Sequence, residues 1–318
     1  MSAGDSIVSV QNVYKKFETT RAVSGVSFTV ERGEVFGLLG PNGAGKTTIA
    51  NMLIGNLPPD SGAIRFNVDG QDVGRLPPRR VGYFPGDSSV YMTLPVGRLL
   101  QHAAHKRGIT GEDADAIVAG WLERIGLKNR ANTSLSNLSK GNQQKVQLAE
   151  AVLHGPDLVF LDEPFAGLDP VSQEMFIDLI RQLQEENVTV IISDHQMALI
   201  ERVTDRVLIL KSGTVVASGT LDEVRERAQS GLRVRVRLAD PRAPMDLEAF
   251  KSHPGIRTAE RTAAGELRLL TTAKAHPVEV MNFAKTRLRI SEIFSEPASL
   301  HDVYVHLVGM EHLLADAN

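Results

Sequence analysis

The chain has 318 residues, 42% apolar and 23% charged, with a net charge of −3 and no cysteine. That length favours two domains over one core, the charge balance excludes a globally basic nucleic-acid binder, and the missing thiols exclude disulfides and thiolate metal sites. No secretory signal and no stretch of ~20 apolar residues is present, so any membrane role needs another chain to cross the bilayer.

In chain order, "SIVSVQNV" and "AVSGVSFTV" alternate as strands do. "EVFGLLG" is an apolar run closed by glycine, suited to a buried strand. "KTTIANMLIG" has helical spacing and stops at Gly55. "AIRFNV" is another strand, before a Gly- and Pro-rich loop. Residues 96–153 read as mostly helical, with Thr110 and Asp113 spaced as a capping box ahead of Val118, Trp121 and Leu122. "DLVFLDEP" returns to buried strand, "VSQEMFIDLIRQLQEEN" to amphipathic helix, and "VTVIIS" to strand. This alternation implies a parallel sheet flanked by helices.

"RVLILKSGTVVASG" reads as a hairpin about Ser212-Gly213. "TLDEVRERAQS" reads as a short helix capped by Thr220 and Glu223. Composition shifts near Gly231. "LRVRVRL" then alternates, with Leu232, Val234, Val236 and Leu238 inward and Arg233, Arg235 and Arg237 on a solvated face. Helix, strand, strand, helix and strand follow near 245–252, 256–261, 266–271, 276–287 and 288–294. That order predicts a small ferredoxin-like α+β domain. A last helix over 300–308 is capped by Ser299 and Asp302, with Leu300, Val303, Tyr304, Leu307 and Val308 as its buried stripe.

"GPNGAGKT" at 40–47 fits the phosphate-loop pattern G-x-x-x-x-G-K-[ST]. A random chain of this length matches it at about the 1% level, and here it lies between strand and helix, as the mechanism requires. Glycines turn backbone N–H groups toward phosphate oxygens, and the helix N-terminus adds positive potential. "LVFLDEP" at 158–164 supplies matching acids: Asp162 for Mg²⁺ and Glu163 to accept a proton from water.

Four further stretches complete a pattern. "LSKGNQQKVQLAEA" carries Ser139 and Gly141, "AGLDP" carries Asp169, "ISDHQ" carries His195, and "YKKF" ends at Phe17. With the phosphate loop and acids, they resemble the ordered motifs of ABC transporter ATPases across residues 6–225. The resemblance implies an α/β P-loop NTPase cassette in residues 1–229, with a parallel core sheet, an antiparallel β-subdomain and a helical subdomain at about 87–155. Residues 230–318 form the accessory domain.

The same resemblance implies ATP and Mg²⁺ as cofactors. Lys46, Glu163 and His195 are then catalytic, and Thr47 and Asp162 hold Mg²⁺. Asn42, Gly43, Ala44, Gly45, Lys46, Thr47 and Thr48 surround the phosphates, and Phe17 stacks on adenine. Ser139, Gly141 and Asp169 complete a site shared with a second cassette, in a homodimer or heterodimer. The other implied partner is a separate transmembrane permease, and no nucleic acid is expected. The implied place is the cytoplasmic inner face of the cell membrane. "EPASLHDVYVHLVG" at 296–309 resembles the end of accessory domains in type 2 exporters. Two rival readings stand beside this one: a soluble ABC protein acting on ribosomes or DNA, and a regulatory subunit with negligible hydrolysis.

Two departures bear on the second rival. The signature reads Ser-Lys-Gly-Asn, with Lys140 for glycine and Asn142 for glutamine. Gly86 stands where the family places a glutamine near Mg²⁺ and the attacking water. Losing one preorganised polar group typically lowers rate by ~10²–10³. Asp87, backbone and water are the candidates to replace it. On this reading Gly86→Gln brings no gain, because the loop needs glycine's backbone freedom.

Overall fold

In the computed structural model, which describes residues 6–86 and 92–309, the alternating N-terminal segments form β1 (Ser6–Phe17) and β2 (Thr20–Glu31). They pair antiparallel and open a four-stranded sheet ordered β2-β1-β4-β5. Between them and the rest of that sheet run β3 (Val35–Leu39) and α1 (Lys46–Leu53), followed by β4 (Ser61–Val68). The loop expected after β4 holds a further strand, β5 (Gln71–Val73). Only three residues pair there, too few to show a period.

β3 is buried along its whole length and lies inside a second sheet. Its neighbours come from later in the chain. After β6 (Val81–Phe84) come the helices α2 (Val96–Lys106), α3 (Gly111–Arg124) and α4 (Lys140–Val152). Next are β7 (Leu158–Asp162), α5 (Pro170–Glu185), β8 (Thr189–Ser193), α6 (Met197–Val203), β9 (Arg206–Lys211) and β10 (Thr214–Thr220). The strand order is β10-β9-β3-β8-β7-β6, with parallel pairing from β9 through to β6. One apolar core joins the two sheets: Val8 and Phe28 meet Phe36, Ile49, Phe160 and Leu208. Phe28 and Phe36 stack with ring centroids 5.6 Å apart. Each such side chain contributes about 1.5–3 kcal/mol by leaving water.

Thr110 is the N-cap of α3, but its side chain makes no capping hydrogen bond. The spacing was right and the bond is absent; Gly111 follows at φ 63°, a left-handed entry that departs from a regular first turn.

The chain divides into two compact units, Met1–Val216 and Ala217–Asn318. Compactness alone therefore draws the line inside β10, earlier than the compositional shift near Gly231. In the second unit, α7 (Leu221–Arg227) begins with the expected Thr220–Glu223 capping box. There follow β11 (Ser230–Leu238), α8 (Leu247–Lys251), β12 (Ile256–Arg261), β13 (Leu267–Thr272), α9 (Pro277–Lys285), β14 (Ile290–Pro297) and α10 (Leu300–Val308). The sheet runs β12-β13-β11-β14, antiparallel throughout, which is the ferredoxin-like arrangement. Val234, Val236 and Leu238 pack with Phe250 of α8 and with Val280 and Ala284 of α9.

The arginine face of β11 is not simply solvated. Arg233 donates to Asp302 at 2.6 Å and to Ser299 at 2.6 Å, and Arg237 pairs with Glu292 and Glu266. These partners sit on other strands and on α10, where sequence alternation does not reach. The Ser299–Asp302 capping box forms as expected, and Leu307 is the one stripe residue that is only half-buried.

Candidate functional site

The parallel register brings Leu38 of β3 beside Ser193 of β8, and Ser193 beside Asp162 of β7. Three strand ends therefore open on one edge, where ligands of such sheets bind. From that edge the phosphate loop leaves β3 and enters α1. Gly43 has φ 77° and Gly45 has φ 103°, a region that disfavours side chains. An added Cβ at Gly45 would also lie 2.5 Å from the Ala22 carbonyl. Gly45 is the N-cap of α1 without a side-chain cap, so no hydroxyl or carboxylate competes for the first-turn amides. Lys46 Nζ donates to the Gly40 carbonyl at 2.7 Å and the Pro41 carbonyl at 3.1 Å.

A cavity of about 680 Å³ covers this edge. Asn42, Gly43, Gly45, Lys46, Thr47 and Thr48 line it together with Asp162 and Glu163. Phe17 lines it from the end of β1, with 46% of its surface exposed. An exposed phenylalanine beside a polar cavity offers a free face for a base. Ala44 does not line it. Its side chain is buried, and its N–H donates within the loop to Pro41 at 3.1 Å.

The acids are held from β8. Ser193 Oγ donates to Asp162 Oδ1 at 2.6 Å, and Glu163 N–H donates to the Ser193 carbonyl at 2.7 Å. Glu163 has φ 46°, a strained value for a glutamate, at the turn that leaves β7 at the cavity. His195 Nδ1 lies 3.7 Å from Glu163 Oε1, and its ring is largely exposed. It therefore neighbours the glutamate but not the cavity wall. Beneath it, Asp194 is fully buried and accepts from the N–H groups of Gln196 at 2.8 Å and Phe165 at 3.3 Å. Burial pushes the Asp194 carboxyl above its usual range, with those donors opposing.

Ser139, Gly141 and Asp169 lie outside the cavity lining. Ser139 is the exposed N-cap of α4, and its Oγ accepts from Asn142 N–H at 3.4 Å. Gly141 is buried where an added Cβ would collide with Ser172. Ser172 Oγ in turn donates to Asp169 Oδ2 at 2.6 Å, and that bond leads the causes holding Asp169 below its usual carboxylate range. Ser172 thus ties these segments into a cluster apart from the phosphate loop.

Sequence reasoning missed Ser193 and Tyr83. Ser193 is the polar residue that ends an apolar strand, as Asp162 is in β7, and that parallel was the available signal. Tyr83 lines the cavity from β6 and packs on Phe160 at 6.2 Å. Burial, then the Asp162 charge, pushes its hydroxyl upward, so it stays a neutral donor. Gly86 also lines the cavity, and an added Cβ there would lie 2.9 Å from the Asp162 carbonyl oxygen. Its φ is not left-handed, so close approach rather than backbone freedom selects glycine. Asp87 lies outside the described residues.

Residues 23–166 match the family described as ABC transporter, and residues 219–308 match the C-terminal domain described as ATP-binding protein DrrA1-3-like. An uncharacterized ABC transporter ATP-binding protein, YhaQ of Bacillus subtilis (strain 168), is 34% identical over 304 residues, covering 95% of this chain and 99% of the relative. A Nod factor export ATP-binding protein I of Burkholderia lata is 33% identical over 308 residues, covering 96% and 97%. A solved structure described as the ATP-binding subunit of an ABC transporter superposes with a TM-score of 0.62 at 31% identity, covering 70% of this chain and 92% of that one.

Proposed function

This chain belongs to the ABC transporter family as an ATP-binding and ATP-hydrolysing subunit, and from that premise we propose which residues do the work. Lys46 and the loop amides hold the β- and γ-phosphates of ATP, and Phe17 stacks on the adenine. Glu163 takes the proton of the attacking water. His195, 3.7 Å from that carboxylate, contacts the γ-phosphate. One observation carries the reading: Lys46, Thr47, Asp162 and Glu163 line a single cavity at the carboxyl edge of a parallel sheet.

The residues present fit Mg²⁺. Asp162 and Thr47 are both oxygen donors in that cavity, and Ser193 Oγ fixes the Asp162 carboxylate. A hard ion that keeps several waters needs few protein ligands. Thr47 and Asp162 would hold it, and when bound it supplies positive charge to the phosphate oxygens.

Ser139, Gly141 and Asp169 serve the nucleotide of a second cassette, since they sit away from this chain's own phosphate loop. One chain carries both halves, which supports a symmetric pair. Among the described residues no helix is long and apolar enough to cross a membrane; the proposed partner is a separate transmembrane permease, on whose inner face this subunit docks. The full-length likeness to a Nod factor export ATP-binding protein and the DrrA-like C-terminal match support export.

The test compares wild type with Glu163→Gln. We expect the variant to bind ATP with unchanged affinity and to release phosphate at background level. A variant that hydrolyses as fast as wild type removes Glu163 from the mechanism.

A further inference from the structure

The C-terminal sheet packs one face on α8 and α9, and its other face carries arginines. Beside α10 on that second face lies a cavity of about 760 Å³, within the range that holds a small ligand. The antiparallel register sets Arg235 of β11 directly opposite Arg268 of β13. Like charges so placed repel. Among the described residues neither makes an ion pair; Arg235 lies over the Phe294 ring at 5.6 Å. Arg257 adds a third guanidinium, fixed by donation to the Ala228 carbonyl at 2.7 Å and the Gln229 carbonyl at 2.8 Å. Those carbonyls orient its charge without neutralising it.

The carboxylates nearby are disposed differently. Asp302 is committed to Arg233 and to its own helix cap. Glu260 of β12 stands directly opposite Arg268 in the register, though among the described residues the two make no ion pair, and Glu296 of β14 lies 3.7 Å from Arg233. Arg268 therefore has Arg235 on one side and Glu260 on the other, while Arg235 has a carboxylate opposite it on neither strand. Four arginines and three carboxylates line the cavity, which leaves an excess of positive charge for an anion. Guanidinium forks match phosphate oxygens edge to edge. The forks of Arg235 and Arg268, with the remaining N–H groups of Arg257, suit the three free oxygens of a phosphate monoester.

We propose that this cavity binds a phosphate monoester group, held by Arg235, Arg257 and Arg268. The group belongs to a soluble metabolite or to a lipid headgroup, and the test separates the two. The host is the full chain carrying Lys46→Ala, so that phosphate binding in the nucleotide cavity does not interfere. Inorganic phosphate is titrated while thermal unfolding is followed, and vesicles containing phosphatidic acid are used for flotation. We expect a saturable rise in Tm, with apparent affinity weakened about tenfold by Arg235→Gln or by Arg268→Gln.

Without phosphate, Arg235→Gln should unfold no lower than the host, because it relieves repulsion with Arg268; Arg268 also faces Glu260, so its variant is read by phosphate affinity alone. A merely structural Arg235 would lower Tm instead on substitution, and that result overturns the proposal. Co-flotation that either substitution abolishes assigns a lipid headgroup. Saturable binding of free phosphate without flotation assigns a soluble ligand. No response to either probe, or responses that survive both substitutions, overturns the site.

Discussion

Gly86→Gln places the family's expected side chain back into the cavity, and the geometry predicts that it harms the enzyme. An added Cβ would sit 2.9 Å from the Asp162 carbonyl oxygen and 3.5 Å from Glu163 Cβ. Carbon–oxygen contacts settle at roughly 3.3–3.6 Å, so the backbone must give by about 0.4–0.7 Å. The displaced peptide is the one that joins Asp162 to Glu163. A 1 Å misplacement of reacting groups can lower rate about 10²-fold; half that movement, scaled logarithmically, lowers it about tenfold. The crowding also destabilises the fold by about 1–3 kcal/mol.

Because the Cβ does the damage, Gly86→Ala should lose about as much as Gly86→Gln. The assay is steady-state phosphate release at saturating Mg²⁺ and ATP, with thermal unfolding in parallel. A tenfold gain in Gly86→Gln over both wild type and Gly86→Ala would refute the reasoning, and would show that a polar group had been missing.

Other outcomes follow from the same cavity and its supports. Lys46→Ala should weaken ATP binding about a hundredfold or more through two lost charge-assisted contacts, and normal affinity in a nucleotide titration removes the phosphate loop from the site. Ser193→Ala takes away the 2.6 Å donor that fixes Asp162, so the Mg²⁺ concentration for half-maximal hydrolysis should rise about tenfold; an unchanged value contradicts the assignment of Asp162. His154 is pushed down to about 4, mainly by burial and then by the Arg107 charge. Between about pH 4 and 6.5 the unfolded chain binds more protons, so stability rises with pH across that window and is lost as pH falls through it. His154→Gln should flatten that slope in urea titrations, and an identical slope in the variant refutes the role of His154.

What could be read from the sequence was local. The phosphate loop, the acids ending β7 and the two capping boxes at Thr220 and Ser299 each depend on residues within a few positions of one another. The ferredoxin-like order was legible because strand and helix periods alternate in a pattern few topologies satisfy. The unread features join distant segments. Ser193 reaches Asp162 only through the β7–β8 register. Arg233 finds Asp302 across 69 positions, and Arg235 meets Arg268 only once β11 pairs with β13. Gly86 falls between the two kinds: glycine was visible, but the carbonyl that selects it lies on another strand. At Thr110 a local signal misled, since a spacing permits a hydrogen bond without forming it.

The signature cluster shows why nucleotide should control pairing in the proposed dimer. Ser139 Oγ makes one long bond, at 3.4 Å, to its own helix. Lys140 occupies the first helical position of α4, where the helix dipole disfavours a cation. Asp169 is tied to the same cluster through Ser172. In a single chain this surface holds a weakly bonded hydroxyl and a misplaced lysine. In the proposed pair, a γ-phosphate presented by the second cassette would correct both, accepting from the Ser139 hydroxyl and the helix amides and neutralising Lys140. Hydrolysis would then remove that shared anion and restore the mismatch. If the proposed pair forms this way, the lysine that departs from the family signature would make closure depend more steeply on an intact triphosphate.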